Sequence, residues 1–343
     1  MKNGLIKWFT LFTWLNRGES CFIRSCQAIT WPQPDGCNPQ LLHHHQHHHP
    51  NCDHQHRAHN NLDSALDSLS RPSAKMHLIF DFDGTITQQD TIGELARSAI
   101  ELQRRISGDD LQASWDQVVQ SYVDDYRSYK KSHPAQEDTR TCVDDEIHFL
   151  SGLKDVEETS LARVAESRIF TGLDAEILSQ AGADAVKEGR IKIRKGFPDI
   201  ISLANERGWS VSVVSVNWSR AFIRGALRPH ILDVVANEPA ADGSITGPEF
   251  LKGRMTNACE KREALEHLVK EKDGRVIYFG DSTTDMECLL RGGVVISDED
   301  DSSLLKTLRR VGVSVPHVGE QADVKVSWAR DFEEVLKSGL LDG

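Results

Sequence analysis

The chain has 343 residues, 39% of them hydrophobic and 27% charged, with a formal net charge of −12. That length suffices for one large or two moderate domains, and no run of eighteen apolar residues is present to span a membrane. Residues 1–75 carry seven Lys/Arg against five Asp/Glu, so the remainder carries −14, which argues against nucleic acid as a partner.

The first 75 residues read as a leader separate from the fold. Nine of the fifteen histidines fall between His43 and His59, without the alternating apolar positions a core requires, so a disordered tail is expected; metal binding is the other use of such tracts. The opening MKNGLIKWFTLFTWLNRGESCFIRS is apolar and basic. It reads as a mitochondrial presequence, or as a weak signal peptide without an A-x-A-like cleavage site. A third reading starts translation at Met76, which heads the first strand. A cytoplasmic location is expected, mitochondrial if the leader is a genuine presequence. After residue 76 the cysteines are Cys142, Cys259 and Cys288, too few and too scattered for a disulfide framework; they read as reduced thiols.

From Met76 the pattern is regular. MHLIFDF is a short buried strand. Residues 91 to 190 repeat apolar positions at spacings of three and four, as in TIGELARSAIELQRR, LQASWDQVVQSYVDDYRSYKK and LDAEILSQAGADAVKEG, and predict helices. RKGFPDIISLANERG predicts a further helix and WSVSVVSV the second strand. Helix SRAFIRGAL, a short strand at VVAN and a turn at ADGSITG follow. Then come helix NACEKREALEHLVK, strand RVIYFG, helix DMECLLRGG, and short strands VVIS and VKVSW. Strands alternating with helices predict right-handed βαβ units and a parallel sheet. The fold class is α/β, with 76–89 and 191–343 forming one domain and 90–190 an inserted helical one.

In open parallel sheets ligands bind beyond the carboxyl ends of the strands, and three predicted strands end in polar residues: Asp81 and Asp83, then Ser215, then Asp281 and Asp285 in FGDSTTD. In extended backbone Asp81 and Asp83 point the same way; Gly84 permits the tight turn that follows and Thr85 offers a hydroxyl to pin it. Adjacent carboxylates repel, which favours a shared proton or a bound cation. Asp281 adds a third carboxylate to an oxygen-rich set suited to Mg2+.

DFDGT, VVSV, a lysine on a helix and GDSTTD together resemble the four motifs of the haloacid dehalogenase-like superfamily. The resemblance covers residues 76 to about 297. More narrowly it is similar to the phosphoserine phosphatase-like branch, in which a helical cap follows the first motif; DGSITG followed by ACEKREAL places the motif lysine at Lys261. The resemblance implies a Rossmann-like core and a Mg2+-dependent phosphatase of a small phosphorylated metabolite. Asp81 is then the nucleophile that forms an aspartyl-phosphate. Asp83 is the acid that protonates the leaving alcohol and then the base that activates water. Ser215 bonds a phosphoryl oxygen, and Lys261 pairs phosphate and nucleophile. The metal residues are Asp81, Asp83 through its backbone carbonyl, and Asp281, with Asp285 orienting Lys261 or a metal water. An acid two residues after the nucleophile favours phosphoryl chemistry over dehalogenation, because halide leaves without a proton.

Substrate choice is expected from the helical cap. Asp90 stands where phosphoserine phosphatases tend to carry an acid for the substrate amine, and reads equally well as an N-cap. Asn217, with Val216 before it, stands where those enzymes have glycines, and supplies hydrogen bonds to substrate or crowds the approach. Trp218 lines the pocket or packs on the following helix. Thr284 replaces a frequent Asn. DFDGTIT, IRKGF and GDSTTD are also similar to the methionine-salvage enol-phosphate phosphatases. Arg97, Arg104, Arg105 and Arg127 are the arginines available for a substrate carboxylate. Phe82, Cys259 and Cys288 read as packing residues and SDEDD at 297–301 as a solvated loop. Two other functions stay open: a phosphotransferase using the same intermediate, and a non-catalytic regulatory or metal-binding protein. A monomer or homodimer without membrane contact is expected.

Overall fold

The computed structural model describes residues 75–320 and 323–342; the readings placed on residues 1–74 lie outside the described residues. The first strand, β1 (Met76–Phe80), has all five residues buried. It ends two residues earlier than its apolar pattern suggests, because Asp81 and Phe82 enter a tight turn that continues to Ile86. The chain then runs through helices α1 (Ile92–Ile106), α2 (Gln112–Ser132), α3 (Val143–Gly152), α4 (Lys154–Ser167) and α5 (Ala175–Lys187), followed by α6 (Phe197–Arg207). Strand β2 (Ser210–Val214), helix α7 (Arg220–Ala226) and strand β3 (Asp233–Val235) come next. The expected turn at 241–247 joins the two-residue strands β4 (Glu238–Pro239) and β5 (Ile245–Thr246) as an antiparallel hairpin. Helix α8 (Ala258–Val269), β6 (Arg275–Gly280), the short α9 (Met286–Leu289) and β7 (Gly293–Ile296) follow. The chain continues through α10 (Ser303–Arg310), β8 (Val326–Ala329) and α11 (Phe332–Lys337). The sequence pattern does not announce α10 and α11.

The main sheet is parallel and ordered β3-β2-β1-β6-β7-β8. Its central strand β1 is buried at every position because both faces are covered. Leu78 and Phe80 face one core with Ile277, Phe279 and Val294; Ile79, Tyr278 and Val295 face the other. Phe80 stacks on Phe279 at 4.6 Å and meets Phe197 and Phe332 edge-on at 5.4 and 5.5 Å, so α6 and α11 close the first face. Truncating a ring this enclosed costs about 3–5 kcal/mol.

The helices between β1 and α6 have a third core of their own. Leu95, Trp115, Leu161, Phe170 and Leu178 fill it, and Trp218 and Phe222 join from the β2–α7 side. The two strands of chain that lead into and out of this region pair with each other: Gln88 N donates to Lys192 O at 2.9 Å and Arg194 N to Ile86 O at 2.7 Å. That pairing brings Arg194 beside the turn after β1.

Candidate active site

The parallel order puts the ends of β1, β2 and β6 side by side with β1 in the middle. Asp81 immediately follows β1, Ser215 follows β2 and Asp281 follows β6, so three distant segments meet at one edge, as the topology requires.

Lys261, on α8, reaches this edge fully buried. Its Nζ donates to Asp81 Oδ1 at 2.5 Å and to Asp285 Oδ1 at 2.6 Å. The Asn257 capping box sets the start of α8, and with it the height at which Lys261 projects. Asp285 is saturated: Oδ1 also accepts from Tyr278 OH at 2.7 Å, and Oδ2 accepts from Asp281 N, Ser282 N and Ser282 Oγ at 3.0–3.1 Å. Its carboxylate therefore orients Lys261 and the loop carrying Asp281. Thr85 Oγ lies 3.2 Å from Asp81 Oδ2 and 3.2 Å from Asp281 Oδ1. A single hydroxyl thus sits between the two carboxylates, which face a common space. Gly84 is needed there: its φ is +77°, and a Cβ would lie 2.2 Å from Asp281 Oδ2.

The electrostatics follow from burial. Desolvation raises the Asp81 carboxyl well above its ordinary range; Lys261 opposes this, and Asp285, Asp281 and Asp83 reinforce it. Asp281 is pushed up to about 7, chiefly by burial and then by Asp285. Burial also works against the Lys261 charge, but Asp285 and Asp81 outweigh it and hold the ammonium above its usual range. Three carboxylates against one ammonium leave an excess of negative charge. Oxygen atoms of Asp81, Asp281 and Asp285 lie within 4.8 Å of one another. An all-oxygen, negatively charged and buried set of this kind fits a hard divalent cation such as Mg2+.

Asp83 does not share that space with its side chain. The turn after Phe80 swings it away from Asp81, so the parallel pointing expected of an extended pair is not realised. Its Oδ1 accepts from Thr91 N at 2.7 Å and Thr91 Oγ at 2.6 Å, and its Oδ2 from Asn217 Nδ2 at 2.8 Å. Desolvation raises the Asp83 carboxyl, and the Thr91 and Asn217 hydrogen bonds counter it. Asp83 therefore lies outside the carboxylate cluster, and a metal contact from it falls to its backbone carbonyl. Asn217 is fully buried and spends its amide on Asp83, where the sequence suggested a bond to substrate. Ser215 is also fully buried, its Oγ accepting from Asn217 N at 3.1 Å. Asn237 pins the same turn from behind, donating to Val216 O and Met255 O at 3.1 and 2.8 Å.

A cavity of about 450 Å3 opens from this edge toward the helices, lined at its floor by Asp81, Asp83, Gly84 and Asp281. Asp90 and Trp218 both line it. Asp90 also accepts from Ile92 N at 2.9 Å, so it braces the start of α1 while facing the cavity. Trp218 lines the cavity, one of the two things expected of it, and its ring meets Trp115 and Phe170 of the helical segment edge-on at 6.0 and 6.4 Å. The acidic run 297–301 is not simply a solvated loop, since Ser297, Asp298, Glu299 and Asp301 line the cavity. Phe82 and Cys288 are core residues as expected; Cys259 is half-buried, and the three described cysteines are unpaired.

Sequence reading missed several contributors. Thr91 carries no signal apart from the acid it meets eight residues earlier. Arg194 is buried and donates to Gly84 O, Thr85 O, Arg330 O and Asp298 Oδ1 at 2.7, 3.1, 3.1 and 2.5 Å. It fixes the turn under Asp81, and IRKGF was the only trace of it. Tyr122 and Glu157 reach the cavity from helices whose apolar spacing does not distinguish them.

The sequence from residue 78 to residue 290 matches the family of haloacid dehalogenase-like hydrolases. That match spans more than half of the chain, in the order strand, helical insertion, strand, lysine helix and acid-ended strand. The chain belongs to the haloacid dehalogenase-like hydrolase family. It is similar to a CTO1 family protein of Schizosaccharomyces pombe, 28% identical over 237 residues, 62% of this chain and 78% of that protein. It is similar also to Cold tolerance protein 1 of Saccharomyces cerevisiae, 25% identical over 76% of this chain and 92% of that one. The mitochondrial bifunctional TH2 protein of Arabidopsis thaliana is 26% identical over 68% of this chain, which spans 41% of that longer protein. Among solved structures, a phosphoserine phosphatase with a phospho-aspartyl intermediate analogue is 22% identical, covering 77% of this chain and 98% of that one, with a TM-score of 0.42. A cytosolic 5'-nucleotidase IIIB bound to cytidine is 15% identical over 84% and 92% of the two chains, with a TM-score of 0.49. No residue role follows from likeness at that level. No helix of the described residues is long and apolar enough to cross a membrane.

Proposed function

We propose that the protein is a Mg2+-dependent phosphatase that cleaves the phosphate ester of a small metabolite through an aspartyl-phosphate. The observation that carries this reading is the floor of the cavity. Lys261 holds one oxygen of Asp81 and Thr85 meets the other, which faces Asp281 across that hydroxyl. Asp81 Oδ2 attacks phosphorus, the bond from phosphorus to the alcohol oxygen breaks, and Asp83 supplies the proton that the alkoxide needs. Asp83 then takes a proton from water as it attacks the acyl phosphate; inorganic phosphate leaves and Asp81 is restored. Mg2+, held by Asp81, Asp281 and the Asp83 carbonyl, would neutralise charge between carboxylate and phosphate. Lys261 favours the ionised form of Asp81 and aims it. Ser215 and Asn217 act through Asp83: the first holds the turn, the second the carboxylate. Direct contact of Ser215 with a phosphoryl oxygen requires this turn to move.

The segment 90–190 is the cap in this reading, and 76–89 with 191–343 the catalytic core. Asp90 faces the space above the phosphate and is the acid for a positive group on the substrate. It is pushed up to about 8, mainly by burial and then by Asp83. The phosphoserine phosphatase-like branch remains the nearer resemblance, but Val216 and Asn217 stand where its two glycines would admit that substrate's backbone-like end.

Hydrolysis of p-nitrophenyl phosphate tests the reading. Turnover is expected with Mg2+ and not after chelation, and Asp81→Asn lowers kcat by at least about a thousandfold. Equal turnover by wild type and Asp81→Asn removes Asp81 as nucleophile.

A further inference from the structure

We infer that the ester is that of a cationic alcohol, one bearing a positively charged nitrogen and no carboxylate, and that Glu157 selects it. This rests on the phosphatase reading and narrows its substrate. A volume of about 450 Å3 holds far more than a phosphoryl group, in the range of cavities that enclose whole small ligands. The wall facing the phosphate must therefore recognise the alcohol.

The charges on that wall are sorted. The basic side chains lining the cavity are Arg194 and Lys306, both outside the helical segment. Arg194 is spent on three backbone carbonyls and Asp298, and Lys306 pairs with Asp301 at 2.9 Å. Of the four arginines available in sequence for a substrate carboxylate, none lines the cavity. Arg97 pairs with Glu94 at 2.7 Å and Arg104 with Asp110 at 2.9 Å, while Arg127 lies 3.8 Å from Asp124. A carboxylate on the alcohol would enter an acidic chamber with no basic side chain to receive it.

The helical wall offers the opposite complement. Glu157, from α4, accepts from Tyr122 OH at 2.8 Å and forms no ion pair among the described residues. Burial pushes its carboxyl up to about 7. Asp90 faces the same space from the start of α1. Two half-buried carboxylates with no basic side chain among the cavity's helical lining are costly to keep ionised. A cation arriving between them removes that cost. Trp218 and Tyr122 bring aromatic side chains to the same cavity, and Ile92, Leu161 and Met255 add apolar surface beside the neutral polar Gln88, Ser160 and Thr256. An onium or protonated nitrogen on a compact apolar body matches such a lining, with ring faces and carboxylates both attracting it.

The test compares three esters on the full chain with Mg2+: phosphocholine, glycerol 1-phosphate and phosphoglycolate. The cationic ester is expected to exceed the neutral one by about tenfold in kcat/KM, and phosphoglycolate to be the poorest. Glu157→Gln preserves shape and should collapse the phosphocholine to glycerol 1-phosphate ratio by about tenfold, mainly through KM. Choline should inhibit the wild-type protein competitively and glycerol should not, a readout independent of how the variant folds. Phosphoglycolate cleaved as well as phosphocholine, a ratio unmoved by Glu157→Gln in a folded variant, or inhibition by choline no stronger than by glycerol overturns the inference alone. Turnover of none of the three, nor of p-nitrophenyl phosphate, overturns the phosphatase reading and this inference with it.

Discussion

Asp83 shows how a residue legible in sequence acquires its behaviour from residues that are not. The D-x-D spacing was readable, but strand geometry predicted two parallel carboxylates. The chain leaves the strand at Phe80, so Asp81 turns to Lys261 and Asp83 to Thr91 and Asn217. Asn217 could not be assigned from sequence because its partner lies 134 positions away. Its substitution should be costly although it does not touch the cavity. Asn217→Ala removes one donor and frees Asp83 to leave its rotamer, and kcat toward p-nitrophenyl phosphate is expected to fall by roughly ten- to a hundredfold with little change in KM. A kcat within twofold of wild type would show that Thr91 alone positions the acid. Gly84 is the counterpart of Asn217 among backbone positions, where the near approach of Asp281 leaves no room for a methyl group.

At the scale of elements, the helical segment is not loosely attached. Helices α5 and α7 approach each other through glycines: a Cβ on Gly225 would fall 1.8 Å from Ser179 O, and one on Gly182 2.1 Å from Phe222 O. Opposite this seam, Arg310 on α10 donates to Glu146 on α3 at 2.8 Å, and Lys154 pairs with Glu260 at 2.6 Å. Gly225→Ala forces the two helices apart and should destabilise by about 1–3 kcal/mol, several degrees in melting temperature for a domain of this size. An unchanged melting temperature by calorimetry would mean that the helices do not lie this close. The long helices and buried strands were legible because apolar spacing repeats over many turns. Helices α10 and α11 were not, being eight and six residues long, too short for periodicity to stand out. Their burial comes from neighbours: Phe332 is fully buried only because Phe80, Phe197 and Phe279 surround it.

For the whole molecule, the cavity concentrates buried acids, and that has a consequence for stability. Glu157 is raised from 4.5 to about 7, so between those values the folded protein keeps a proton that the unfolded chain has released. Stability therefore falls as pH rises through this window and levels off above it, by at most about 3 kcal/mol from this group. Glu157→Gln should flatten part of that slope and be the more stable protein at pH 8 in the absence of ligand, as measured by urea denaturation across pH 5–8. A slope identical in both proteins would mean that water in the cavity already solvates the carboxylate. In the proposed function, the same excess of negative charge that costs stability would draw a divalent ion and a cationic ester.

By itself the sequence determined the parallel α/β layout, the inserted helices and the identity of the acids and lysine, because each is written in local periodicity or in short motifs whose spacing carries the chemistry. Only the tertiary structure decided which side chains face the cavity. It brought Thr91, Asn217 and Arg194 to the turn after β1, gave Ser215 and Asn217 buried supporting positions and placed Glu157 on the cavity lining. Those outcomes depend on which elements pack together across more than a hundred residues, and no window of sequence contains that distance.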